Sequence, residues 1–170
     1  MMTMIVLRFI HVLSGVFWAG SVFFVAAFLI PGLRASGPAG GQVMQQVIGK
    51  LRYPAAAATA GLLTILSGAG MYWRNVSVSS GGWATSVPGL TYGLGAVAAI
   101  AAILILARII APTGEQLLQL AGSIQSSGGP PSAEQATRLA QLQGRMAFAS
   151  RLGASCLAVT VICMATARYL

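Results

Sequence analysis

Long uncharged runs separated by short polar breaks dominate the pattern of this chain. Four of the runs are long enough to cross a hydrocarbon layer, which takes roughly 20 helical residues for about 30 Å. They cover residues 4–30, closing at Pro31-Gly32; 54–73, opening on a proline that suits a first helical turn; 88–111, closing at Pro112; and 147–169. Period-2 alternation is missing, and lipid does not tolerate unpaired backbone, so helices are expected rather than barrel strands. The first run is longer than a signal-peptide core and has no small-x-small cleavage site after it, so it is expected to be retained.

The breaks carry their own periodicity. Residues 41–53 (GQVMQQVIGKLRY) place Val43, Met44, Val47, Ile48 and Leu51 on one face, which predicts an interfacial helix. In residues 113–146, Leu117, Leu120, Ala121 and Ile124 recur at i, i+3, i+4, i+7, and Leu139, Leu142 and Met146 form a matching stripe. Between the stripes, residues 126–132 (SSGGPPS) stop one helix and restart another, with Ser132 and Gln135 spaced as a capping box. The third and fourth helices are therefore expected to continue beyond the membrane as an antiparallel hairpin. Its stripes either pack on each other or offer a surface to a partner.

Composition narrows the class. Of 170 residues, 56% are hydrophobic and 7% charged, against about a quarter charged in soluble domains. The expected fold is an all-α integral membrane protein of one domain, an antiparallel four-transmembrane-helix bundle with the hairpin as its extension. The formal charge of +8 arises from nine Arg and one Lys against Glu115 and Glu134. These bases are scattered at the ends of apolar runs with no aromatic interleaving, which fits helix anchoring and not nucleic-acid binding. Arg34, Lys50, Arg52, Arg108, Arg138, Arg145 and Arg151 fall on the face of the first and third connections; Arg8, Arg74 and Arg168 fall on the other. The positive-inside rule then predicts a multi-pass protein of the cell (inner) membrane, with both termini outside, although Arg8 pulls the other way. Tyr72, Trp73, Trp83 and Tyr169 would form the outer aromatic belt, and Tyr53 would lie on the inner side.

Little catalytic chemistry is on offer. The chain has no Asp, neither Glu lies in a span, and no P-loop, dinucleotide fingerprint or zinc motif occurs. Small residues at four-residue steps, Gly15 with Ala19, Ala57 with Gly61, Thr64 with Gly68 and Gly89 with Gly93, are expected to allow close helix packing within the chain. His11, the single histidine, lies inside the first span, where an ionisable side chain is a functional candidate. Met4, Met71, Cys163 and Met164 fall near the same depth, and with an imidazole they would suit Cu(I). The imidazole could instead ligate haem b with a second axial ligand, or simply hydrogen-bond a neighbouring backbone group or Ser14.

The segment Arg8-Phe9-Ile10-His11-Val12-Leu13-Ser14-Gly15-Val16-Phe17-Trp18-Ala19-Gly20 resembles the first helix of the copper-resistance protein D family and of the HemJ-type protoporphyrinogen oxidases. Arg52-Tyr53-Pro54 and Leu66-Ser67-Gly68 continue the likeness, which covers about the first half of the chain. The resemblance implies an antiparallel helical bundle. It also implies, for the oxidases, a lysine in the third helix; residues 88–111 contain none, which argues against oxidase activity.

Three functional expectations follow. The first is a non-catalytic accessory subunit of a larger membrane assembly of respiratory or photosynthetic type, with lipid and other subunits as partners. The second is a protein binding b-type haem or copper through His11. The third is a small-solute channel or transporter lined by Ser14, Ser21, Thr59, Thr64 and Ser67.

Overall fold

The computed structural model describes residues 2–170, and among them it contains helices and no strand. Four helices are long and apolar enough to cross a membrane: α1 (Met2–Ala35), α3 (Tyr53–Val78), α4 (Val87–Ser126) and α5 (Ala133–Tyr169). A shorter helix, α2, covers residues 37–50 between the first two, and a single 3₁₀ turn, Gly82–Thr85, precedes α4. The most extensive packing is of α1 on α3 and of α4 on α5, with lesser contacts of α3 on α4 and of α1 on α5.

Two helices run through the prolines expected to end them. In α1 a π turn occupies Val25–Leu29 and the helix continues past Pro31 to Ala35; in α4 a π turn occupies Leu106–Ile110 and the helix continues past Pro112 to Ser126. The physical reason is the same in both. A proline has no N–H to donate, and its ring collides with the carbonyl four residues back. Widening the preceding turn, so that Ile30 N–H reaches the Val25 carbonyl and Ala111 N–H reaches the Leu106 carbonyl, opens the backbone just where the ring must fit. The runs 4–30 and 88–111 are thus segments of longer helices.

Other boundaries follow local signals. Ser86 caps α4 by accepting from Gly89 N–H. Ser132 and Gln135 form a reciprocal capping box at the start of α5. The break between α2 and α3 falls at Arg52, which adopts a left-handed backbone at φ 50°, and Pro54 lies in the first turn of α3. The helix expected over 41–53 begins earlier, at Gly37, and its final turn, Gln46–Lys50, is another π turn.

The core has two parts. Within the apolar band, Trp18 and Leu157, each 2% exposed, pack with Ala57, Ala60, Ala99, Ala102 and Leu106. Beyond it, Ile30, Leu117, Leu142, Met146 and Ala147 form a second cluster, with Leu120 and Leu139 against it. The stripes of the α4–α5 hairpin therefore pack on each other, and Ile124 near the tip is half-buried. At the opposite end Trp83 is sandwiched between Tyr72 (centroids 5.1 Å apart) and Tyr92 (5.9 Å), while Trp73 is exposed.

Candidate functional site

Residues Leu7, His11, Ser14 and Trp18 recur at i, i+4, i+7, i+11, so they share one face of α1. That face meets a row of small residues on α3. Gly70 leaves room for Leu7, Gly68 for His11 and Gly61 for Trp18, while Gly15 meets Thr64. A methyl added at Gly68 would lie 2.8 Å from His11 Cε1, and one at Gly61 would lie 2.9 Å from the Trp18 indole. Contacts descend α3 as they ascend α1, so the two helices run in opposite directions.

The polar centre of this seam is His11. Its Nδ1 lies 2.7 Å from the Thr64 carbonyl oxygen and 3.4 Å from Ser67 Oγ. A carbonyl only accepts, so the contact requires the proton on Nδ1 and leaves a lone pair on Nε2 in the neutral ring. This is also the arrangement by which backbone carbonyls orient metal-ligating histidines.

Hydroxyl groups complete the cluster. Ser14 Oγ lies 2.6 Å from the Ile10 carbonyl, Thr64 Oγ1 lies 2.8 Å from the Ala60 carbonyl, and the two hydroxyls lie 2.8 Å apart. Two protons serve three contacts. Whichever hydroxyl bridges the helices must share or give up the bond to its own carbonyl, so the bridge has two equivalent arrangements. Ser67 and Ser21 likewise donate to carbonyls of their own helices, and Thr59 lies in an open apolar groove between α1 and α3.

The sulfur groups expected beside His11 are placed as follows. Met4 and Met71 are half-buried on α1 and α3. Cys163 is buried and, with the half-buried Met164, packs against Gly95 of α4. Both cysteines are free. Among the described residues no group of three or more His, Cys, Asp and Glu side chains is placed to hold a metal ion.

Of the small-residue steps, Gly93 faces the Tyr72 hydroxyl. A methyl at Gly89 would collide with the Trp83 carbonyl, because the chain turns back on the helix start there. Ala19 is half-buried. Gly89 is itself buried, and farther along α4 Gly95, Ala99 and Ala102 are buried as well. Gly95 meets α5, where Thr160 Oγ1 donates to its carbonyl at 3.1 Å. The i, i+4, i+7 spacing of Gly95, Ala99 and Ala102 is a signal present in the sequence.

Comparison of the chain with protein-family models, curated proteins and solved structures finds no match.

Proposed function

We propose that this chain is a non-catalytic accessory subunit of a larger complex in the cell (inner) membrane, of respiratory or photosynthetic type. In this reading it forms an antiparallel four-helix bundle with the hairpin in the cytoplasm and both termini outside. The observation that carries it is the position of α1. The segment Met2–Phe24 buries a single side chain, Trp18, and leaves Ile5, Phe9, Val12, Leu13, Val16, Phe17 and Phe24 exposed over the rest of its surface. A helix held along one stripe, with exposed apolar side chains over the rest of its surface, is suited to packing against a neighbouring membrane helix through van der Waals contact. The polar cluster behind it, centred on His11, is explained as the fastening between α1 and α3. Extraction in mild detergent followed by native electrophoresis tests the proposal: the chain should migrate with a larger assembly. Migration only as a monomer or homodimer at every detergent strength would overturn it.

A second reading is favoured by the tautomer of His11. With Nδ1 held by the Thr64 carbonyl, Nε2 has the lone pair needed for haem iron or copper. The resemblance of the first helix to the copper-resistance protein D and HemJ-type families supports the same reading. Purified protein should then show a Soret band or stoichiometric copper, lost in His11→Ala; a colourless, copper-free preparation from cells replete in both would retire it.

A further inference from the structure

Beyond the apolar band, beside Arg34, a cavity of about 580 Å³ separates α2 from the α4–α5 hairpin. Met44 and Gln45 line it from α2, and Leu117, Ile124 and Leu139 line it from the hairpin. Leu117 is buried in the hairpin's own cluster, but Met44, Ile124 and Leu139 are only half-buried. Lipid tails do not cover apolar side chains at this level. Their exposure to water favours any rearrangement that closes the gap.

The parts around the cavity are held differently. The end of α1 is fixed to the hairpin, because Ile30 is buried in one cluster with Leu117, Leu142 and Met146, and the Arg34 guanidinium donates to the Gln143 carbonyl. The first part of α2 packs instead on the end of α1, and its last turn on the start of α3. It reaches the base of the hairpin through Ile48, which lies beside Gly114. Each end of α2 is bounded by a residue with left-handed backbone, Gly37 at φ 54° and Arg52 at φ 50°. Such residues interrupt the helical hydrogen-bond pattern, and element-terminal positions of this kind absorb the dihedral changes of a hinge. Gly40 sets the pivot next to Gly37. It is buried, and a methyl there would run into the Leu33 carbonyl, so only glycine lets α2 fold back this closely on the end of α1.

We propose that α2 is a lid that turns on Gly37 and Arg52, brings Met44 towards Ile124 and Leu139, and closes the cavity. The end of α1 and the hairpin stay together as the frame, and the structure shows the lid open. Removing the apolar walls from water drives the closure. Gly41 leaves the approach clear: it lines the cavity, and nothing lies within 4 Å of where its Cβ would be. The device stands independently of the accessory-subunit and cofactor readings.

Double electron–electron resonance on the full chain in lipid nanodiscs tests it, in a background with Cys156 and Cys163 replaced by Ala. Spin labels on cysteines introduced at Gln42 and Gln125, which line the cavity from opposite sides, should report two distances, the shorter from the closed lid. Labels at Ala35 and Gln125 should report one distance, because the frame does not move. Gly41→Phe puts a ring into the gap and should lower the shorter-distance fraction at least about fivefold, since a closed lid would be overpacked. An unchanged distance between the Ala35 and Gln125 labels shows that this variant keeps its fold. A single distance between the Gln42 and Gln125 labels in the parent would overturn the proposal. So would two distances from the Ala35 pair, which would make the hairpin the moving part, or an undiminished shorter distance in folded Gly41→Phe.

Discussion

His11 Nδ1 and the Thr64 carbonyl oxygen, 2.7 Å apart across the α1–α3 seam, join helices whose residues are separated by 53 positions in the chain. The ring fits there because Gly68 presents no side chain to it. Histidine and glycine therefore act as one unit, and their substitutions should not add.

Gly68→Ala places a methyl 2.8 Å from the imidazole. It should cost about 1–3 kcal/mol by forcing the ring off its carbonyl. His11→Ala alone should cost about 0.6–2 kcal/mol, the span for an interhelical bond in a membrane. In the double variant the added methyl occupies space the ring has vacated, so the combined loss should fall below the sum of the two. Reversible unfolding in mixed micelles measures all three; strict additivity would mean the ring and Gly68 are not in contact.

Pro112 and the π turn Leu106–Ile110 are linked in the same sense. Pro112→Ala restores an N–H and removes the ring, so the turn should relax to α-helical spacing. A one-residue change of register rotates the rest of α4 by about 100°, which turns Leu117 away from Leu142 and Met146. Cysteines introduced at 117 and 142 should then cross-link less efficiently in the Pro112→Ala background than in the parent.

Thr113 is fully buried, and its hydroxyl has no hydrogen-bond partner among the described residues. An unpaired buried hydroxyl costs about 1–3 kcal/mol. Thr113→Val keeps the shape and removes the polar atom, so it should raise stability by about 1 kcal/mol. A lowered melting temperature would show that the hydroxyl has a partner after all.

The proposed orientation is tested by labelling single cysteines in intact cells, in a background with Cys156 and Cys163 replaced by Ala. A cysteine at Ser80, in the turn before α4, should react with an impermeant maleimide. A cysteine at Ser127, at the hairpin tip, should react only after the membrane is opened. The reverse pattern would place the hairpin and its arginines outside.

The four apolar helices, the hairpin with its Leu117, Leu142 and Met146 stripe, and the Ser132–Gln135 cap were all legible in the amino-acid sequence alone. Each is a local property: hydrocarbon burial reads out over a window of about 20 residues, a stripe repeats every three or four residues, and a capping box closes within four. The tertiary structure decided what depends on residues far apart. Pro31 and Pro112 look like stops in the sequence, yet packing beyond them holds both helices together and a π turn accommodates each ring. His11 could be assigned a depth in advance, but its tautomer and its neighbours came only from α3, through Thr64, Ser67 and Gly68. The cavity beside Arg34 was equally hidden, because its walls come from four separate stretches of chain and its floor exists only where Gly40 lets two of them close.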